Sequence, residues 1–185
     1  MKPPMGPVCA RCPRVLGHSC CEVQEGEYLA TLTRADVARI TGHSRLAARR
    51  FVLEDVLAEE TAAEYEVRHP LYRGYFRRGP IIWSLAVRDG ACVFFVKGEG
   101  CSLPPDVRPV ACRLYPFERW PDGGWSVAMG RYGNLDEARA GGSACLAVEE
   151  SESMEQVLEA FGTTRETVEA LGAQLEEESR AHGRG

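Results

Sequence analysis

The sequence predicts an α+β fold in which a small antiparallel hairpin sheet lies among flanking helices and a C-terminal pair of helices. Three observations lead to this class. Apolar residues recur at helical spacing in the first and last thirds of the chain, and β-branched and aromatic runs flank turn dipeptides in the middle third. The 185 residues are 44% hydrophobic and 26% charged, which is the composition of an ordinary globular protein.

The first third is predicted to hold a loop and two helices. Residues 1–26 are rich in Pro, Gly and Cys without periodicity, so we expect a loop that something other than a hydrophobic core holds in place. Thr33 and Asp36 stand at capping-box spacing before an apolar face, which predicts a short helix over 33–40 that ends at Gly42. Apolar residues at helical spacing after Ser44 predict a longer helix over about 45–66.

The middle third is predicted to form two hairpins. Residues 81–87 and 91–96 flank Asp89-Gly90, a strong hairpin signal. Residues 117–120 and 125–130 flank a Pro-Asp-Gly-Gly turn, which predicts a second hairpin. The proline-rich stretch between the hairpins is incompatible with a central strand, so we expect a loop with one helical turn near 106–113.

The last third is predicted to contain two helices, over 153–161 and 164–180, each with an apolar stripe above an acidic face. Thr163 and Glu166 form the capping box of the second helix. Between Glu149 and Glu178 the chain has ten glutamates and one arginine, Arg165, so the body of the protein is mildly basic and the tail acidic.

Composition also excludes some classes of function. The N-terminus has no apolar run of signal-peptide length, and no run approaches the length of a membrane span, so we expect a cytoplasmic protein without a membrane partner. The net charge of −5 argues against nucleic acid as a partner. The motifs of the familiar catalytic classes do not occur, so the sequence leaves open whether the protein is an enzyme. It identifies neither a protein partner nor an oligomeric state.

The eight cysteines are the strongest chemical signal in the sequence. In a reducing cytosol such a number favours metal or redox chemistry over disulfides. Cys9 and Cys12 form C-x2-C, a spacing that lets two thiolates bind one ion, and the vicinal pair Cys20 and Cys21 follows. The predicted metal ligands are all eight residues: Cys9, Cys12, Cys20, Cys21, Cys92, Cys101, Cys112 and Cys145.

Spacing leaves open whether these thiols make two four-thiolate sites or one site with spare cysteines. Burial as a small apolar residue is the alternative for Cys92, which stands in an apolar strand. His18 lies inside the first cluster as an alternative ligand, although a solvated loop histidine is the simpler interpretation. We expect His43, His69 and His182 to be ordinary surface residues.

The predicted fold therefore also includes Cys-rich loops that a bound metal staples together. The chain is predicted to have two parts. Residues 1–148 form a cysteine-cluster metal-binding domain, and residues 149–185 form an acidic helical extension that packs on the same domain. Four thiolates around a divalent ion or an iron–sulfur core leave a net negative charge that needs cations nearby. Arg108 and Arg113 flank Cys112 and are placed to supply them, as are Arg11 and Arg14 in the first cluster. Tyr115, Phe117 and Trp120 are expected to screen the site from water or to pack in the core.

Three segments resemble the YkgJ-type cysteine-cluster family, whose members are described as zinc- or iron-chelating domains. They are residues 9–21 (CARCPRVLGHSCC), 31–40 (TLTRADVARI) and 101–117 (CSLPPDVRPVACRLYPF). The last is the most specific, because Arg108, Pro109, Cys112, Arg113 and the segment 115–117 match the family pattern in order. The resemblance covers roughly residues 9–146.

The resemblance implies a metal site whose metal is zinc or iron. Zinc suits a C-x2-C pair with a distant thiolate pair, as a closed structural site. The flagellin lysine N-methylases look like distant relatives through the same cysteine cluster. That relationship implies an iron–sulfur cluster, which we favour over zinc as the cofactor.

Two alternatives to a simple metal-binding protein remain at this stage. The first is an S-adenosylmethionine-dependent enzyme similar to the protein lysine N-methylases, for which the candidate glycine segments are PDGGW (121–125) and AGGSAC (140–145). The second is a non-catalytic redox or metal sensor, in which loss of the metal frees the acidic tail to change its partner.

Overall fold

The computed structural model describes residues 8–22, 29–127 and 145–185. These residues form helices and small two-stranded antiparallel sheets, so the coarse α+β prediction is confirmed. The helices are α1 (Val8–Leu16), α2 (Arg34–Ser44), α3 (Glu59–Arg68), α4 (Val110–Leu114), α5 (Leu146–Glu150), α6 (Met154–Ala160) and α7 (Arg165–His182). The strands are β1 (Val52–Val56), β2 (Ile81–Leu85), β3 (Val87–Arg88), β4 (Ala91–Cys92), β5 (Phe95–Val96), β6 (Gly100–Cys101), β7 (Phe117–Arg119) and β8 (Trp125–Val127).

The strands pair as β1–β2, β3–β4, β5–β6 and β7–β8. The β1–β2 pair is the longest and places Val52 opposite Leu85 and Val56 opposite Ile81. Trp83 on β2 donates its indole N–H to the Glu54 carboxylate on β1 at 2.7 Å, which ties the outer face of this pair together.

The predicted helix over 45–66 is wrong in its first half. Residues 48–50 form a single 3₁₀ turn, residues 52–56 form β1, and the helix begins only at Glu59. Most of β1 is exposed, and it finds its partner in β2, a strand some 30 residues later in the chain. Pairing with a distant strand therefore overrides the local apolar spacing, which by itself favours a helix.

The predicted hairpins differ in outcome. The second is confirmed, since Phe117 lies opposite Val127 and Arg119 opposite Trp125, while residues 128–130 lie outside the described residues. The first is much shorter than predicted, because only Val87–Arg88 pairs with Ala91–Cys92 around the turn, and residues 81–85 pair with β1 instead. The turn itself is the one predicted, with Asp89 and Gly90 both at positive φ.

The helix termini follow their capping residues. Thr33 and Asp36 form the predicted capping box of α2, but the helix continues through Gly42 to Ser44 and ends with Arg45 in the left-handed conformation. Helix α7 begins one residue later than predicted, because the side chain of Thr164, rather than Thr163, accepts the N–H of Thr167. Helix α4 is the single helical turn predicted in the proline-rich stretch.

The predicted loop over residues 1–26 is also wrong in part, since residues 8–16 form α1, while residues 1–7 and 23–26 lie outside the described residues. Val8 and Cys12 lie one turn apart and are buried against α5. Burial of this narrow stripe holds the helix in place despite Pro13, which has no N–H to donate.

The buried apolar side chains form two clusters. The helical core lies between α7, α4, α5 and the residue 70–75 segment, and its members include Tyr75, Val110, Val127, Val148, Val157 and Leu175. The strand core lies under β2, β4 and the residues that follow them, and its members include Leu32, Ile40, Phe51, Leu85, Phe94 and Leu103. Within the described ranges, none of the helices is both long and apolar enough to cross a membrane.

His182, predicted to be a surface residue, is buried at the end of α7. Its side chain is 7% exposed and stacks on the Tyr75 ring with centroids 4.0 Å apart, while Trp83 meets it edge-on at 4.9 Å. Burial, and secondarily the charge of Arg34, lowers the pKa of His182 to about 4. His182 is therefore an uncharged, buried aromatic residue at neutral pH.

The protonation of His182 makes stability depend on pH. Its pKa is near 6.5 in the unfolded chain, so below pH 6.5 the unfolded state takes up the proton more readily than the folded state does. We expect the contribution of His182 to the free energy of unfolding to fall by about 3 kcal/mol between pH 6.5 and pH 4. Urea unfolding at several pH values should show this slope, and His182→Gln should flatten it. His43→Gln, at an exposed position, is the control and should keep the wild-type slope.

Gly172 lies where α7 crosses the ring of Trp125, and a Cβ atom there would come within 2.8 Å of two ring carbons. Gly172→Ala should therefore lower the free energy of unfolding by about 1 kcal/mol or more, because overpacking outweighs the gain in helix propensity. Gly42→Ala is the matched control, since a Cβ atom there meets nothing within 4 Å on helix α2. It should raise the free energy of unfolding by up to about 1 kcal/mol. Thermal unfolding that shifts in the same direction for both variants would contradict this packing.

Candidate metal centre

All eight cysteines lie in the described residues, and no disulfide bond joins any of them. They come from four parts of the chain that the fold brings together: α1 with the turn after it, the β4–β6 strands, α4, and the residue that begins α5. Among the described residues, no group of three or more His, Cys, Asp or Glu side chains is already arranged around a metal position. The structure therefore gathers the thiols without showing the metal-stapled loops that the sequence predicted.

One set of thiols, which we call the helical group, consists of Cys9, Cys12, Cys20 and Cys145. Cys9 and Cys12 lie one turn apart on α1, and Cys145 is the N-cap residue of α5. The two helices pack together, and the Arg11 guanidinium binds the Glu150 carboxylate across them at 2.8 and 3.1 Å. Cys12 and Cys145 are buried in the helical core.

The phenol of Tyr115 identifies the surroundings of the helical group. Burial raises the pKa of Tyr115, and the charges of the four thiols of the helical group raise it further. Tyr115 packs, partly buried, against the helical core, and Phe117 packs in that core against Phe161. The predicted role of Tyr115 in screening a metal site stays a prediction.

The other set, which we call the strand group, consists of Cys21, Cys92, Cys101 and Cys112. The backbone N–H of Cys92 donates to the carbonyl of Cys21 at 2.8 Å, and Cys101 lies on β6 opposite Phe95. Cys21, Cys92 and Cys101 all lie in or against the strand core. Burial raises the pKa of Cys112, on α4, and the charges of the other three thiols of this group raise it further.

The two groups meet at the vicinal pair. The Cys20 thiol donates a hydrogen bond to the sulfur of Cys21, which lowers the pKa of Cys21 and raises that of Cys20. Adjacent residues of one turn thus contribute one sulfur to each group.

Cys9 and Cys112 are exposed residues. Burial is nevertheless the largest cause of their raised pKa values, and that of Cys9 reaches about 11. Both thiols are therefore protonated at neutral pH.

Arg108 is the cation that serves both groups. Its Nε donates to the carbonyl of Leu103 at 2.9 Å and its Nη2 to that of Cys101 at 3.4 Å. Its charge lowers the pKa of Cys21 and offsets part of the rise that burial causes in the pKa values of Cys9 and Cys101. Arg108 therefore lies near members of both groups, and its role beside a bound metal stays a prediction.

The other residues that the sequence predicted to lie at the site have other contacts. Arg11 is paired with Glu150, and Arg14 donates to the carbonyl of Gly98 at 3.5 Å. Arg113 follows Cys112 on α4 and is half-buried. The imidazole of His18 is exposed, while its backbone carbonyl lies 3.7 Å from the Cys12 sulfur and accepts the S–H. His69, predicted to lie on the surface, is only partly exposed and its ring nitrogen binds the Glu118 carboxylate.

The residue that positions α4, and with it Cys112, is Asp36. Its carboxylate is completely buried and accepts the backbone N–H of Val110 at 3.0 Å and that of Thr33 at 2.9 Å. Arg39 binds the same carboxylate and also Glu178 on α7. Sequence analysis identified Asp36 only as a capping residue, because a hydrogen bond to a backbone group 74 residues away leaves no local pattern.

Comparison with known proteins adds no relative. No family model matches the chain, and neither a curated protein nor a solved structure matches it significantly. The resemblance to the YkgJ-type family stays a prediction that rests on the cysteine segments.

Replacing the Asp36 carboxylate tests its role in placing α4. The side-chain amide in Asp36→Asn has only one acceptor oxygen, so one of the two backbone N–H groups loses its hydrogen-bond acceptor. Arg39 also loses the negative charge with which it forms an ion pair. We expect the free energy of unfolding to fall by about 2 kcal/mol, measured by chemical denaturation. Asp106→Asn, at an exposed position in the neighbouring loop, is the matched control and should change it by less than about 0.5 kcal/mol. Equal effects of the two substitutions would contradict the role of Asp36.

Proposed function

We propose that this chain is a metal-binding protein that holds an iron–sulfur cluster or zinc through its clustered cysteine thiolates. The observation that carries the proposal is that cysteines from four separate parts of the chain lie near one another, since Cys92 donates its backbone N–H to Cys21, Cys12 and Cys145 share the helical core, and the thiols act on one another's pKa values. Scattered cysteines that served only as small apolar residues would have no reason to converge.

The chemistry of the donors supports this function. Thiolates are soft ligands that select zinc and iron–sulfur centres over magnesium or calcium. Backbone N–H groups also point at several of the sulfurs, as they do around metal-bound thiolates. The N–H of Phe94 lies 3.5 Å from the Cys92 sulfur, and the N–H groups of Val148 and Ala147 partly offset the rise that burial causes in the pKa of Cys145.

The electrostatics supports the same function. In the metal-free protein, burial and mutual repulsion raise the pKa values of most thiols in both groups, so they stay protonated. A bound cation replaces those protons and removes the repulsion, which stabilises the folded chain. Arg108 offsets part of the negative charge that four thiolates leave around a divalent centre.

Between the two metals, the proposal favours an iron–sulfur cluster, on the strength of the resemblance to the flagellin lysine N-methylases. Such a cluster supplies electron transfer or substrate activation when bound, whereas a closed four-thiolate zinc site supplies structural stability. No specific observation favours the methylase alternative itself. PDGGW forms the turn between β7 and β8, and most of AGGSAC lies outside the described residues.

The proposal is tested by metal analysis of the protein purified without oxygen. We expect iron with inorganic sulfide and a visible absorption band, or zinc in a colourless protein, in a fixed ratio to protein. Chelation should lower the thermal stability together with the metal content, because ligand binding contributes to folding in such proteins. Protein that retains neither metal, and whose melting temperature does not respond to zinc or to cluster reconstitution, would overturn the proposal.

A further inference from the structure

We propose that the cavity between the end of α7 and strand β2 binds a small aromatic carboxylate. None of the eight cysteines lines this cavity, so the proposal is independent of metal binding. The cavity has aromatic side chains in its buried part and arginines at its opening, and each of these features selects one part of such a ligand.

The buried part of the cavity fits an aromatic ring. The cavity has a volume of about 140 Å³. An engineered cavity of about 150 Å³ in another protein binds one benzene molecule. Tyr75 and His182 line the cavity and are 2% and 7% exposed, and the half-buried ring of Trp83 meets His182 edge-on. A molecule with a single apolar ring therefore matches both the size and the wall of the cavity.

Two exposed arginines, Arg34 and Arg78, line the same cavity. The Arg34 guanidinium lies over the Trp83 ring, 5.1 Å from its centroid, and its Nε donates to the carbonyl of His182 at 3.4 Å. The Nη1 of Arg78 donates to the carbonyl of Gly185. Each guanidinium is thus positioned by a backbone acceptor, and within the part of the chain that the structure describes its other two nitrogens make no hydrogen bond.

The charge of these arginines is not balanced by a neighbouring carboxylate. Among the described residues, no Asp or Glu side chain forms an ion pair with Arg34 or Arg78. Glu54 also lines the cavity, but its carboxylate accepts the indole N–H of Trp83 at 2.7 Å. A guanidinium binds a carboxylate through two parallel N–H···O bonds. The arginines therefore select a carboxylate at the opening, above the ring.

The imidazole of His182 gives a further sign of an incomplete site. Its Nδ1 is buried and has no hydrogen-bond partner within the described ranges. Buried polar groups are normally hydrogen-bonded, so an unpaired nitrogen in the wall of a cavity is typical of a site that a bound molecule or water completes. Because His182 is uncharged at neutral pH, the positive charge at the cavity comes from the two arginines.

The experiment is an NMR titration of the full chain with benzoate at pH 7, which follows the indole N–H signal of Trp83, assigned from Trp83→Phe. Benzyl alcohol keeps the ring without the charge, acetate keeps the carboxylate without the ring, and phosphate is an anion without an apolar part. We expect one benzoate per chain, bound at least about tenfold more tightly than any of the other three molecules.

Substitutions test the two arginines. Arg34→Gln and Arg78→Gln should each weaken benzoate binding by about tenfold or more, because each removes a charged donor from the carboxylate. Arg50→Gln is the control, since Arg50 is exposed and does not line the cavity, and it should keep the wild-type affinity.

Arginine modification of the wild-type chain by butanedione, mapped by mass spectrometry, covers variants that fail to fold. Benzoate should protect Arg34 and Arg78 and leave Arg50 reactive. A Trp83 signal that does not respond to millimolar benzoate overturns the proposal, as does equal binding of acetate, phosphate or benzyl alcohol. Equal loss of affinity in Arg50→Gln, or equal protection of Arg50, would show attraction by overall charge and would also overturn it.

Discussion

The buried carboxylate of Asp36 is the interaction on which the arrangement of the other elements depends. It caps α2, accepts the N–H that begins α4, and through Arg39 it is linked to Glu178 on α7. Three helices that are far apart in sequence are thereby fixed at one point that is closed to solvent. Burying a carboxylate is costly unless its oxygens accept hydrogen bonds, and here backbone N–H groups and the Arg39 guanidinium donate those bonds. The position of Cys112 follows from this network together with the packing of Val110 and Leu114 of α4 in the helical core.

In the thiol region, repulsion between neighbouring sulfurs adds to the effect of burial. Burial raises the pKa of Asp36 too, but backbone N–H groups and Arg39 offset part of that rise, whereas most of the thiols have pKa values raised both by burial and by one another. Arg108 is a cation shared by members of both groups, and its two backbone acceptors hold it in position. Most of the sulfur atoms in this region are therefore neutral thiols at neutral pH.

Local sequence signals predicted local structure well. The capping box at Thr33, the turn at Asp89-Gly90, the β7–β8 hairpin and the single turn of α4 each depend on residues within a few positions of one another, and all are present. The errors arise where a distant partner decides the outcome. Strand β1 exists because β2 pairs with it, α1 exists because α5 covers its apolar stripe, and His182 is buried because Tyr75 and Trp83 receive it. The cysteines were identifiable by residue type, but their neighbours were not, because residues 12 and 145 or 21 and 92 show no spacing that relates them.

The order of the cysteines along the chain has a consequence for biosynthesis. The strand group ends at Cys112, and the helical group needs Cys145, about 30 residues further on. A ribosome adds these residues in roughly two to six seconds. A nascent chain thus contains all four thiols of the strand group while the helical group still lacks its last sulfur. Cys9, Cys12 and Cys20 are therefore the thiols that wait longest for their last neighbour and are open to oxidation in the meantime.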